Sequence, residues 1–123
     1  MLPRPQRLVR HRDFQATYQR KRRVDSPALT LYVGRRSQGT PRLGFVVSKK
    51  VAGKAHDRNL VKRRLRALSL PLLPELEHVD LVVVVRAPAL TLDFAGLRAT
   101  VVQLFQQAGV LKTAGDTNDG GER

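Results

Sequence analysis

The chain contains no cysteine and no tryptophan, and aromatic side chains of any kind are few. Without cysteine, neither a disulfide framework nor a zinc site with thiolate ligands can form, and an intracellular setting is permitted. Long apolar segments are missing as well. The longest apolar run, residues 81–85, is far shorter than the roughly 20 residues that cross a bilayer, and residues 1–9 lack the apolar core of a signal peptide. We therefore expect a soluble, cytoplasmic protein that makes no membrane contact.

Acidic residues are scarce in the first half of the chain. Residues 1–66 hold 19 Lys and Arg against 3 Asp and Glu, a net charge of +16, whereas residues 67–123 hold 4 against 7, a net charge of −3. A field this uneven attracts polyanions and predicts binding that weakens steeply with salt. We interpret the 123-residue chain, whose length suits one domain, as a nucleic-acid-binding protein that meets its partner mainly through its first half.

The strongest local pattern is a basic helix. At about 3.6 residues per turn, Arg58, Lys62 and Arg66 form one row, and Asn59 and Arg63 form the adjoining row. The apolar residues of the same helix lie opposite these rows, and they are Val61, Leu65 and Leu68. Like charges four residues apart destabilise an isolated helix by about 0.2–0.5 kcal/mol per pair, so the cationic rows indicate contact with a polyanion.

Hydrophobic periodicity and turn residues divide the chain into short elements. In order, we predict a basic arm over residues 1–10, a helix over 12–20, strands over 28–33 and 42–48, the basic helix, a strand over 79–86, a helix over 91–107 and a disordered tail over 113–123. Residues 11–112 would form one domain, with room for a further short strand near residues 20–26. We expect the first two strands to pair as a hairpin, and the strand over 79–86 to be central and covered on both faces.

Single residues indicate where the two long helices begin and end. Asp57 is a candidate N-cap of the basic helix, and Pro71 and Pro74 should end it. Gly109 should end the last helix. The buried stripe of that last helix is predicted to consist of Phe94, Leu97, Val101, Leu104 and Phe105.

Six short motifs follow one another in a characteristic order. They are Arg12-Asp13-Phe14, Leu31-Tyr32, Val47-Ser48-Lys49-Lys50 with Gly53 and Ala55, Arg58-Asn59-x-x-Lys62-Arg63-x-x-Arg66, Val79-Asp80-Leu81-Val82 and Arg86-Ala87-Pro88. From about residue 8 to residue 111, the chain with these motifs resembles the protein component of bacterial ribonuclease P. A basic helix alone would be weak evidence for this family, whereas the ordered set is specific.

The resemblance implies both a fold and a function. The fold is α+β, a two-layer α/β sandwich with a small mixed four-stranded sheet and a left-handed βαβ crossover, like a domain of a small-subunit ribosomal protein. The implied function is that of the protein subunit of ribonuclease P, an endoribonuclease that removes the 5′ leader of precursor tRNA. Catalytic RNA would perform the hydrolysis with Mg²⁺ held mainly by that RNA, and the partners are the catalytic RNA and precursor tRNA, without an obligate protein partner.

The resemblance also assigns site residues, none of which is catalytic or metal-binding. The catalytic RNA is expected to contact Arg58, Asn59, Lys62, Arg63 and Arg66. The leader is expected to contact Phe14, Tyr18, Tyr32, Ser48, Lys49 and Lys50, because exposed rings stack on bases of any sequence and the lysines lie near phosphates. Tyr18 stands where many relatives have Phe, a change that preserves stacking.

Two other functions remain open at the level of sequence. A structural RNA-binding protein of ribosomal or chaperone type would explain the charge equally well, but not the aromatic residues or the motif order. A small self-sufficient ribonuclease could use His11, His56 and His78 in general acid–base cleavage of RNA, although the spacing of these histidines is typical of no catalytic motif.

Overall fold

The computed structural model describes residues 7–8, 14–17, 22–35 and 40–111. Residues 14–17 are helical. The strands of this part of the chain are β1 (Arg23–Asp25), β2 (Leu29–Arg35), β3 (Arg42–Val46) and β4 (Val79–Val85). Its long helices are α1 (Ala55–Ser69) and α2 (Phe94–Ala108), and short 3-10 segments span Leu70–Glu75 and Ala87–Thr91.

Strand β4 lies inside the sheet, whose order is β1-β2-β4-β3. It runs antiparallel to β2 and parallel to β3, so Val83 has Leu31 on one side and Phe45 on the other. Six of the seven residues of β4 are buried. The prediction of a central apolar strand is thus confirmed, and β1 occupies the place where the sequence left room for a fourth strand.

The predicted hairpin between β2 and β3 is wrong, because β4 separates these two strands. A short, turn-rich connection permits a hairpin but does not enforce one. Inserting β4 gives this most apolar strand hydrogen-bonded neighbours on both edges over residues 80–84, so that the peptide groups there are satisfied within the sheet. The helix α1 connects the adjacent parallel strands β3 and β4, which makes the βαβ unit that the resemblance implies.

Both long helices pack on one face of the sheet and complete a two-layer α+β fold, as predicted. Helix α1 lies beside β3, and α2 lies against β1 and β2. The core between the layers contains Leu31, Phe45, Leu81 and Val83 from the strands. The helices contribute the predicted Val61, Leu65 and Leu68 from α1 together with Leu97, Val101, Leu104 and Phe105 from α2.

The predicted cap of α1 is wrong. The helix begins at Ala55 after Lys54, and no side chain caps its first N–H groups. Asp57 is already in the first turn, since its own backbone N–H donates to the carbonyl oxygen of Lys54 at 3.1 Å. There its carboxylate favours the positive end of the helix dipole without acting as a cap. At the other end, α1 stops at Ser69, before Pro71 and Pro74, as predicted.

Helix α2 starts later than the sequence suggested. The carboxylate of Asp93 accepts a hydrogen bond from the backbone N–H of Gly96 at 2.8 Å and caps the helix. Phe94 is 45% exposed, so its predicted place in the buried stripe is wrong, because the first turn projects beyond the core. Gly109 ends the helix with φ of 70°, a left-handed conformation that glycine adopts without strain, and this prediction is confirmed.

Two residues of the predicted basic arm pair with the edge strand β3. Arg7 forms a parallel bridge with Leu43, and the backbone N–H of Leu8 donates to the carbonyl oxygen of Leu43 at 2.8 Å. Leu8 is 4% exposed. The other residues of the arm and the predicted tail over 113–123 lie outside the described residues.

Candidate nucleic-acid interface

The sheet has an outer face, which is the face directed away from α1 and α2. Strand register places Tyr32, Val82 and Gly44 in one row across it. The ring of Phe14 lies on Gly44, so the helical residues 14–17 rest against this face. Phe14 and Tyr32, two of the three predicted leader-binding rings, are thus brought to the same face about 10 Å apart, the width of two strand spacings. Tyr18, the third ring, lies outside the described residues.

Gly44 makes the position of Phe14 possible. A Cβ at residue 44 would lie 2.5 Å and 2.6 Å from two ring carbons of Phe14 and 3.2 Å from the Cβ of Leu8. Glycine therefore lets the ring pack directly on the backbone of β3. Sequence reasoning did not single out Gly44, although a glycine inside an otherwise apolar strand is the usual signal of a close approach.

Tyr32 is half-buried and has a cationic neighbour. Arg23 lies directly opposite it in the β1–β2 pair and donates a hydrogen bond to its hydroxyl. This hydrogen bond, and then the negative charge of Asp25, raise the pKa of Arg23 above its ordinary value. A positive charge consequently stands beside the Tyr32 ring at every physiological pH.

The basic helix α1 presents its two polar rows in different directions. Lys62 and Arg66 are half-buried and line a groove of about 290 Å³. We call it the junction groove, and its other lining residues include Arg7, Phe14, Gly44 and Phe45. Asn59 and Arg63 are exposed and line a second groove of about 350 Å³, to which Arg66 also contributes. Residues that the sequence treats as one motif therefore border two neighbouring grooves, which share Arg66.

Arg58 has a role within the protein that its place in the motif did not predict. One terminal guanidinium nitrogen donates hydrogen bonds to the carbonyl oxygens of Ala52 and Gly53, each at 2.9 Å. These contacts tie the start of α1 to the loop that precedes it. Part of the hydrogen-bonding capacity of Arg58 is therefore used inside the chain.

The turn after β3 exposes the predicted group Ser48, Lys49 and Lys50. The carbonyl oxygen of Ser48 accepts hydrogen bonds from the N–H groups of Val51 and Ala52 at 3.1 Å and 3.0 Å. Its hydroxyl oxygen accepts a further, longer bond from the Val51 N–H at 3.3 Å. Ser48 thus shapes the turn, and the turn holds two ammonium groups in solvent at the end of β3.

The carboxylates on the outer face are paired with arginines. Asp80 accepts two hydrogen bonds from Arg42, both at 2.8 Å, in the parallel geometry that gives the strongest carboxylate–guanidinium contact. Asp25 accepts a hydrogen bond from the Thr30 hydroxyl at 2.9 Å and lies 3.2 Å from the Arg23 guanidinium. The sequence pattern predicted neither pair. Their effect is that the acidic residues of this face present little uncompensated negative charge to an approaching polyanion.

Nothing in the described part of the chain resembles a histidine-based or metal-based active centre. His56 lies in the first turn of α1, which follows the carboxyl end of β3, whereas His78 precedes the amino end of the parallel strand β4. The two histidines are therefore at opposite ends of the sheet, and His11 lies outside the described residues. The described residues contain no group of three His, Cys, Asp or Glu side chains arranged to hold a metal, and no helix among them could span a membrane.

The fold and this surface define a class of protein. It is a small α+β domain with aromatic rings on one sheet face and cationic grooves beside it, a surface suited to polyanions.

Comparisons with known proteins give the family. The sequence pattern of the family Ribonuclease P matches residues 2–109. The ribonuclease P protein component of a Cyanothece species is 38% identical over 128 residues, covering 90% of this chain and 98% of the relative. The ribonuclease P protein component of Symbiobacterium thermophilum is 39% identical over 111 residues, covering 89% of this chain and 96% of the relative.

Solved structures agree with the sequence comparisons. The RNase P protein of Staphylococcus aureus superposes with a TM-score of 0.79 at 26% identity, covering 86% of this chain and 97% of that one. The RNase P protein of Thermotoga maritima superposes with a TM-score of 0.73 at 25% identity, covering 93% of this chain and 98% of that one. The chain belongs to the ribonuclease P protein family, as the sequence predicted, and nothing in the comparisons favours a ribosomal or chaperone protein.

The contact between Gly44 and Phe14 can be tested by a single methyl group. We expect Gly44→Ala to displace the ring and to lower the free energy of unfolding by about 1–3 kcal/mol, as overpacking does in other proteins. Urea unfolding measures this. Gly53→Ala is the control, since a Cβ there would meet its nearest neighbour at 3.8 Å, and it should leave stability nearly unchanged. Equal stability of both variants would show that the ring does not rest on Gly44.

Proposed function

We propose that this chain acts in the cytoplasm as the protein subunit of ribonuclease P, promoting endonucleolytic removal of the 5′ leader from precursor tRNA. It does so by binding two RNAs, the catalytic RNA and the leader. The observation that carries the proposal is the arrangement at β3, where the ring of Phe14 and the cations Lys62 and Arg66 line one groove. Family membership supplies the reaction, and this arrangement supplies a surface on which single-stranded and folded RNA can be held side by side.

The catalytic RNA binds the basic helix in this proposal. The contacts are those that the sequence predicted, from Arg58, Asn59, Lys62, Arg63 and Arg66. Asn59 and Arg63 support the assignment most directly, because both are exposed and their side chains make no hydrogen bond or ion pair with another described residue. Arg63 can grip a phosphate with two parallel N–H donors, whereas Lys62 offers a mobile point charge.

The leader binds the outer face of the sheet. Phe14 and Tyr32 stack on its bases, a contact worth about 1–3 kcal/mol per base that is tolerant of sequence. Such tolerance suits a protein that processes many precursors with different leaders. Ser48, Lys49, Lys50 and Tyr18 complete the leader surface, the two lysines by attracting phosphates from the turn after β3.

The hydrolysis belongs to the catalytic RNA, with Mg²⁺ bound mainly by RNA phosphates. The carboxylates of Asp25 and Asp80 are engaged with arginines, so the hard oxygen ligands that Mg²⁺ prefers would come from the RNA. The contribution of the chain is electrostatic and positional. Its cations reduce the repulsion between two polyanions, which lowers the Mg²⁺ concentration that assembly requires, and no obligate protein partner is needed.

The stacking role of Phe14 predicts an effect that depends on the leader. In the complex with catalytic RNA, we expect Phe14→Ala to weaken binding of precursor tRNA by about 5- to 150-fold, the equivalent of 1–3 kcal/mol, while binding of mature tRNA stays unchanged. Equilibrium binding of both substrates measures this. Phe94→Ala, which removes an exposed ring from the opposite layer, is the matched control. Equal losses for precursor and mature tRNA would remove the stacking role.

The phosphate contact of Arg63 predicts a change in salt dependence. We expect Arg63→Ala to weaken binding of the catalytic RNA and to flatten the log–log dependence of affinity on salt by roughly one unit, since about one counterion is released per phosphate neutralised. Binding titrations at several salt concentrations measure the slope. Arg98→Ala removes an equally exposed arginine from α2 and should leave the slope as it is. If the salt slope of Arg63→Ala is identical to that of Arg98→Ala, Arg63 makes no direct contact with a phosphate of the catalytic RNA.

A further inference from the structure

We propose that the junction groove is a binding site for one phosphate of the single-stranded leader, held by Arg7, Lys62 and Arg66. The inference rests on the proposed function, because it takes the leader to pass over Phe14. It adds Arg7 to the RNA-binding residues and moves Lys62 from the catalytic-RNA surface to the leader surface. Arg66 lines both grooves and lies between the two RNAs. The motif of α1 is thereby divided between two RNAs.

Arg7 is fixed in place by the sheet. Its backbone forms a parallel bridge with Leu43, and the next residue donates a backbone hydrogen bond to the same partner at 2.8 Å. Paired residues direct their side chains to the same side of a sheet, and Leu43 faces the helices, so Arg7 is directed towards α1. Leu8, the next residue, accordingly points to the outer face, where its Cβ lies near Gly44. The Arg7 guanidinium is therefore held at the edge of β3.

The guanidinium group of Arg7 contains a buried donor that has no partner in the described part of the chain. Its Nε atom is buried and has no hydrogen-bond partner among the described residues. A buried donor without an acceptor costs about 1–3 kcal/mol, and more when it carries charge, so such groups usually mark the place of a ligand or ion. None of the described residues that line the groove is acidic. An anion that enters the groove meets three cationic side chains and no carboxylate among these residues.

Two further cations converge on the same space. Lys62 and Arg66 are one helical turn apart on α1 and both are half-buried, and neither side chain makes a hydrogen bond or ion pair with another described residue. Three positive groups around a groove of about 290 Å³ repel one another, and one phosphodiester would relieve that repulsion. The volume lies at the lower end of the range for small-molecule sites, which suits one phosphate with its nucleotide.

The position of Phe14 identifies which RNA enters. Its ring belongs to the same groove, on the outer-face side of β3, while Lys62 and Arg66 border the groove from the helix side. A base stacked on Phe14 therefore carries its neighbouring phosphate over the edge of β3 towards Arg7. The leader is the unpaired strand of the substrate, and unpaired bases are free to stack on an aromatic ring. Asn59 and Arg63, which face the second groove, are left to the catalytic RNA.

Two charge-removing variants test the site in the full chain assembled with catalytic RNA. Arg7→Ala and Lys62→Ala should each weaken binding of precursor tRNA about three- to tenfold and leave binding of mature tRNA unchanged. Each should also lower the log–log salt slope of precursor binding by about 0.7, the value for one phosphate of a single strand. The double variant should lose less than the product of the two single losses, because both groups hold the same phosphate. Arg7→Lys should keep the wild-type slope, and Arg98→Ala should resemble wild type throughout.

Several outcomes would overturn the inference. If Arg7→Ala and Lys62→Ala weaken the catalytic RNA as Arg63→Ala does, with equal losses for both substrates, the groove belongs to the catalytic RNA. If neither variant changes binding while Phe14→Ala retains its effect on the leader, the inference fails and the leader surface stands. If Phe14→Ala also has no such effect, the leader surface itself is wrong. Lys62→Ala leaves the backbone bridge of Arg7 intact, so its effect on precursor tRNA binding tests the junction groove even if Arg7→Ala does not fold.

Discussion

The burial of β4 on both of its faces governs the architecture. Val83 faces the helices and is covered by the core, while Val82 faces the other way and is nevertheless fully buried. A strand that is apolar on both faces needs cover on both sides of the sheet. The helices α1 and α2 supply one cover, and Phe14, resting on Gly44, contributes to the other. The surface that we assign to the leader therefore arises from the same requirement that builds the core.

The cations of the chain fall into two groups. Arg42 and Arg58 are engaged inside the protein, the first with the Asp80 carboxylate and the second with backbone carbonyls of the loop before α1. Lys62, Arg63 and Arg66 make no such contacts within the described residues and repel one another along one helix. The first group stabilises the fold and screens its acids, whereas the second carries an electrostatic cost that RNA phosphates would offset in the function we propose. This division explains why charge counts alone overstate the RNA-binding surface.

The sequence predicted those features that depend on local periodicity or on one conformationally special residue. The apolar and basic sides of α1, the central β4 and the stop at Gly109 are of this kind. Features that depend on distant partners were not predictable, namely the insertion of β4 between β2 and β3 and the pairing of Arg42 with Asp80. The contacts of Arg58 with its own loop are local, but they depend on the path of that loop, which periodicity does not give. Phe94 shows the limit of periodicity, because a residue can lie on the apolar stripe and still project beyond the core. The family resemblance supplied the site residues, but not the two directions in which α1 presents them.

If the chain serves RNA as a cationic and aromatic scaffold, bond cleavage should require the catalytic RNA. The decisive measurement is the rate of precursor tRNA cleavage at low Mg²⁺ with the protein alone, the catalytic RNA alone, and both together. We expect no cleavage by the purified, RNA-free protein and a much faster rate for the combination than for the RNA alone. Cleavage by the protein without RNA, or a combined rate no faster than that of the RNA alone, would contradict this account.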